Sequence, residues 1–148
     1  MVDTSDFLQA DDINKVAKVA EAVHCGHHTD DAIEKFIGVN SAGRQGRYYR
    51  LAAEKMGLVN LSGKNHTVLT QCGMGFVNLP PSEQEKYLRV AIQNLPVFIC
   101  AIQFINATKP DSYQLRQWFM NSYPGEATTA DRRFSTFIKY LNYCGFFC

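Results

Sequence analysis

The residues best equipped for chemistry in this sequence are a run of imidazoles around one thiol, His24-Cys25-Gly26-His27-His28, which with His66 or Cys72 could in principle hold zinc. Structural zinc sites need ligand pairs at short, repeated spacing; such pairs are missing, and the run reads more simply as the turn that ends a helix. A Cys–His nucleophile at Cys25 gains nothing from adjacency in sequence, and no acyl-enzyme signature surrounds it. Metal-dependent nucleases of the common restriction type place carboxylates around Mg²⁺, with a second acid two residues before a lysine that orients water. Here the residues two before each lysine are Ile13, Val16, Ile33, Ala53, Ser62, Gln84, Ala107 and Phe137, none of them acidic. Asp111 after Pro110 reads as a helix cap. Gly43-x-x-Gly46 and Gly73-x-Gly75 are too short for a phosphate-cradling loop. The expectation is a chain with no catalytic residue, metal or cofactor, not an enzyme in its own right.

What remains is binding chemistry. The net charge of +1 argues against a sequence-blind polyanion binder, but the charge is patterned. Residues 1–36 carry eight acidic against three basic side chains, whereas residues 41–64 carry five basic against one acidic. One element, not the whole surface, is therefore set to meet an anion.

The elements that position these groups follow from periodicity. Asp11 or Asp12 caps a helix with Ile13, Val16, Ala17, Ala20 and Val23 at helical spacing, ending near Gly26. Thr29 opens a second helix that ends at Gly38, and Ser41 a third that runs to Gly57. Leu58–Leu61 and His66–Leu69 then form a small hairpin about the turn Ser62–Asn65, and residues 70–76 lead away from it. Three helices followed by a hairpin is the winged-helix order. After Pro80-Pro81-Ser82 a long apolar helix kinks at Pro96 and forms a buried spine, with Cys100 in the core. A helix from Asp111 or Ser112, with Trp118 in the core, and a last helix from about Thr128 to Cys144 complete the chain.

An internal repeat ties the two halves together. Arg44 aligns with Arg132, Gln45 with Arg133, Arg47 with Ser135, Tyr48 with Thr136, Tyr49 with Phe137, Ala52 with Tyr140, Met56 with Cys144 and Gly57 with Gly145. The apolar members fall on one helical face and pack inward. The opposite faces present Arg44, Arg47, Tyr48 and Leu51 in the first copy and Arg132, Ser135, Thr136 and Lys139 in the second. A helix fits the major groove of B-DNA, where arginine bridges guanine O6 and N7 and Gln, Ser or Thr meets base edges or phosphates. Ser41, Arg44, Gln45, Arg47, Tyr48, Lys64 at the wing tip, Arg132, Arg133, Ser135, Thr136 and Lys139 are accordingly the expected DNA contacts. Tyr48 could stack on a base, but a tyrosine on a helix is more often half-buried packing.

Arg44-Gln45-Gly46-Arg47-Tyr48-Tyr49, Gly57-Leu58-Val59 and Leu69-Thr70-x-x-Gly73 resemble winged-helix segments at the N-termini of modular restriction endonucleases. Asp131-Arg132-Arg133-Phe134-Ser135-Thr136 with Tyr140-Leu141-x-x-Cys144-Gly145 resembles the second winged helix that follows there. The resemblance spans nearly the whole chain on loose motifs. It implies a mainly α fold of tandem winged helix-turn-helix units, residues 1–79 and 80–148, the second without its wing by truncation. It also implies a target-recognition module for double-stranded DNA whose nuclease domain or subunit lies elsewhere. A protein-interaction scaffold in a multisubunit assembly and a transcription regulator are the alternatives. Five cysteines in no repeated spacing, no signal peptide and no long apolar run lead to the expectation of a soluble cytoplasmic protein without membrane contact.

Overall fold

The computed structural model describes residues 6–39 and 45–146. The chain is mainly helical with one two-stranded antiparallel sheet: α1 (Ile13–His24), α2 (Asp30–Ile37), α3 (Gln45–Lys55), β1 (Val59–Leu61), β2 (Thr67–Leu69), α4 (Gln71–Val77), α5 (Pro81–Gln93), α6 (Pro96–Thr108), α7 (Ser112–Ser122) and α8 (Ala127–Tyr143). No single described helix is long and apolar enough to cross a membrane. The chain divides into two compact units, Asp12–Ala91 and Met1–Asp11 together with Ile92–Cys148, so the division falls inside α5.

In the Asp12–Ala91 unit each helix starts and stops where its local chemistry dictates. Asp12 accepts from the backbone N–H groups of Asn14 and Lys15, and Thr29 accepts from Ala32 N–H, so each satisfies donors that a helix start leaves unpaired. Gly38 ends α2 with φ of 75°, a left-handed conformation that glycine adopts without strain. The cap expected of Ser41 for α3 lies outside the described residues. Val16, Val19, Ala20 and Val23 of α1, Ile33 and Ile37 of α2, and Tyr49, Ala52 and Ala53 of α3 form the core, closed by Leu58 and Val59 at the hairpin. In the sheet, Val59 stands opposite Leu69, Asn60 opposite Val68 and Leu61 opposite Thr67.

Residues 70–76, expected to lead away from the hairpin, do so as a helix: Gln71–Val77 form α4. Thr70 caps it, its hydroxyl oxygen accepting from Gly73 N–H at 2.8 Å while its O–H donates to Gly57 O at 2.5 Å. Two glycines mask this helix in the sequence, yet Gly73 is required: a Cβ there would collide with the Leu58 carbonyl.

Tyr87 on α5 donates its O–H to Met56 O at 2.9 Å. Burial, and secondarily the nearby Cys72, pushes the phenol above its ordinary value. The folded state thus holds this proton more tightly than the unfolded chain. The stabilisation is complete below the ordinary phenol value of 10.0 and is lost as pH rises through the raised folded value. Urea unfolding at increasing alkaline pH is expected to show this loss in the wild type. Tyr87→Phe should flatten it and cost about 1 kcal/mol at neutral pH; an unchanged alkaline slope would assign the loss to other groups.

The second unit gathers residues 6–11 into a core with α6, α7 and α8. Phe7 meets the ring edges of Phe119 and Tyr123 at 5.3 and 4.9 Å, and the buried Tyr140 donates to Ala10 O at 2.6 Å. Asp111 and Gln114 form a reciprocal capping box that starts α7.

The expected kinked, buried spine is two separate helices, and both are exposed over much of their surface. Proline lacks the N–H that an uninterrupted helix needs, so Pro96 sits at the start of α6 as its first residue. On α6 only Val97, Phe98 and Ala101 are buried, because its apolar residues outnumber the one face that is covered. Ile99 and Cys100 point outward, which corrects the core assignment of Cys100. Trp118 is half-buried, stacked on Phe104 at 5.6 Å.

Candidate nucleic-acid interface

The inward stripe expected of α3 is present: Tyr49, Ala52, Ala53 and Met56 are all buried. The opposite side carries Arg47 and Lys55, both exposed, with Tyr48 and Leu51 half-buried between them. Gln45 at the first turn is half-buried. Ser41 and Arg44, expected in the same set, lie outside the described residues.

Sequence reasoning missed the residue that fixes this helix. Arg50 is 7% exposed and forks onto Asp30 of α2, Nε to Oδ1 at 2.9 Å and Nη2 to Oδ2 at 3.2 Å, while Nη1 reaches Glu54 at 3.1 Å. The hydrogen bond to Asp30 is the largest reason that the guanidinium is held above its ordinary pKa. A usable signal existed: Arg50 directly follows Tyr49 on the inward stripe and has an acid one turn ahead at Glu54. Close to the same contact, Gly46 N–H donates to Glu34 Oε2 at 3.0 Å, and a Cβ on Gly46 would collide with Asp30 O. Glycine here lets α3 approach α2 closely.

The hairpin is tied to the turn between α1 and α2. Thr67 N–H donates to His28 O at 2.8 Å, His28 Nδ1–H donates to Thr67 O at 2.8 Å, and Asp30 N–H donates to Asn65 Oδ1 at 3.0 Å. Asn65 takes the left-handed conformation, φ 51°, that directs its amide back to this turn. His66 stacks on His28 with ring centroids 4.6 Å apart. Lys64 at the hairpin tip is exposed. Neither Lys64 nor Arg47 forms an ion pair among the described residues.

The aligned set on α8 is different. Its stripe is buried at Phe137, Tyr140 and Leu141, and Cys144 is half-buried. Both repeats end alike: Gly57 and Gly145 have φ of 79° and 81°, and Leu58 N–H bonds to Ala53 O as Phe146 N–H bonds to Leu141 O. The outward set nonetheless dissolves. Thr136 is 6% exposed, one turn before Tyr140 on the buried side, and cannot present its hydroxyl to a groove. Arg133 donates to Gln9 Oε1 at 2.7 Å and Lys139 pairs with Asp11 at 3.2 Å, so both serve to hold the N-terminal segment. Arg132 and Ser135 are exposed, without such a side-chain partner among the described residues. They lie well inside α8, which begins at Ala127, whereas a groove-entering helix uses its N-terminal residues.

Among the described residues no group of three or more His, Cys, Asp or Glu side chains is placed to hold a metal ion. No protein-family model matches the chain, and no curated protein or solved structure matches it either.

Proposed function

We propose that the Asp12–Ala91 unit is a winged-helix module that binds double-stranded DNA, with α3 as the helix presented to the major groove and the β1–β2 hairpin as its wing. The observation that carries this reading is the sorting of basic side chains on and around α3. Arg50 is buried and neutralised by Asp30 and Glu54, while Arg47 and Lys64 are exposed without an ion pair among the described residues. Element order supports it. So does the backbone bond from β2 to His28, which ties the turn between α1 and α2 to the hairpin. Duplex DNA is the partner because its major groove admits a helix, whereas the deep, narrow major groove of duplex RNA does not.

The reading is narrower than two reading helices in tandem, because Arg133, Thr136 and Lys139 are used inside their own unit. Arg47→Ala is expected to weaken duplex binding by about 1–3 kcal/mol, and to relax preference at one base pair if the guanidinium bridges a guanine. Lys64→Ala should weaken all sequences alike and reduce the salt slope by about 1. Fluorescence anisotropy on a labelled duplex measures both. Binding indifferent to both substitutions would sink the proposal.

A protein contact is the second reading for the other unit, favoured by the outward Ile99 and Cys100 on α6. In that reading the Asp12–Ala91 unit supplies recognition, and a nuclease or other effector reaches the DNA through the second unit.

A further inference from the structure

His66 lies on the proposed wing, two residues from Lys64, and its imidazole stacks on that of His28 in the turn between α1 and α2. A carbonyl oxygen can only accept, so the 2.8 Å contact of His28 Nδ1 with Thr67 O requires a proton on Nδ1. This bond survives in both the neutral ring and the imidazolium, and a second proton on His28 therefore goes to Nε2 without releasing the hairpin. His66 is exposed and its ring has no hydrogen-bond partner among the described residues.

Protonation of both rings places two like charges in a stack with centroids 4.6 Å apart. Little nearby offsets them. Asp30, the first residue of α2 and two residues after His28, has both carboxylate oxygens engaged by Arg50. Strand β1 carries no titratable side chain, and α4 carries only Cys72, which acts on Tyr87. Helix α1 ends in His24 with Glu21 exposed one turn earlier, and Lys64 adds a further positive charge at the tip.

We infer that the His28–His66 stack makes DNA binding by this wing proton-linked, taking up a proton as a backbone phosphate arrives. The inference rests on the duplex-binding reading above. A phosphate beside His66 supplies the negative charge that the protonated stack lacks in the free protein, so binding and protonation favour each other. Histidine is the side chain whose charge changes between about pH 5 and 8, which sets the window.

The test uses the full chain and a labelled mixed-sequence duplex of about two helical turns, titrated by anisotropy at about pH 5.5 and 8 across a salt series. Affinity is expected to rise about tenfold at the lower pH, and the slope of log K against log salt to steepen by about 0.9, the signature of one more phosphate contact. In His66→Gln both changes disappear. Wild-type binding with the same affinity and slope at both pH values overturns the inference and leaves duplex recognition standing. A pH gain that persists in His66→Gln likewise overturns it. No binding at either pH in the lowest salt removes the duplex-binding reading itself.

Discussion

Phe119→Ala lowers the unfolding free energy by about 3–5 kcal/mol, as large-to-small changes at fully buried aromatic sites do. Phe119 is wholly buried and lies at the centre of an aromatic cluster. Phe137 is 4.9 Å away, Phe7 and Phe134 meet it edge-on at 5.3 Å each, and Tyr123 stacks at 6.1 Å. Truncation removes the ring that joins the N-terminal segment to α7 and α8, and the rigid neighbours cannot collapse into the space. Edge-to-face pairs add about 0.5–1.5 kcal/mol beyond buried area, which pushes the cost toward the upper end. Phe119→Leu keeps most of the volume and should cost roughly half as much. The single tryptophan, Trp118, stacks on Phe104 and Phe137 in the same unit, so its fluorescence follows the transition directly. A loss below about 1 kcal/mol would mean that the cluster is not packed as described.

Arg50→Met is expected to cost about 3 kcal/mol, the lower end for breaking a buried ion pair by removing one partner. The lower end applies because Asp30 and Glu54 retain 20% and 23% side-chain exposure, so water can partly solvate the abandoned carboxylates. Arg50→Lys keeps a positive charge but loses the fork that meets both oxygens of Asp30, and should recover only part of the loss. Combining Arg50→Met with Asp30→Asn also removes the Asp30 charge and leaves Glu54 as the one abandoned carboxylate of the two. The double variant should therefore be more stable than the two single losses added together. Because this ion pair joins α3 to α2, the Arg50 variants should also weaken duplex binding, in a way that Phe119→Ala does not at temperatures where it remains folded. Additive losses in the double variant would show that Arg50 and Asp30 do not act as a pair.

Local signals made much of the helical scaffold legible. Thr29 before Asp30-Asp31, Asp111 three residues before Gln114, and Gly38, Gly57 and Gly145 at helix ends are caps and stops whose physics acts within one turn. The hairpin was equally readable, because two short apolar runs flank a turn containing Gly63 and Asn65.

What escaped the sequence depends on partners far along the chain or on which apolar face finds a cover. The N-terminal segment joins the C-terminal unit through contacts such as Tyr140 with Ala10, 130 residues apart, which no periodicity encodes. The same segment consumes Arg133 and Lys139, so an alignment of basic residues overstated the surface of α8. Arg50 was one charge among five in a basic stretch until Asp30 appeared across the helix pair. Cys100 sits in an unbroken apolar run, and only the observed packing of α6 tells that its side of the helix is outward.

Selection from a randomised duplex pool at low and high salt, followed by sequencing of the retained DNA, tests the central claim most directly. The account predicts a discrete enriched motif whose binding falls steeply as salt rises and whose enrichment collapses in the Arg47→Ala variant. Weak retention without enrichment at low salt, unchanged by that substitution, would contradict it and leave the protein-contact reading of the fold.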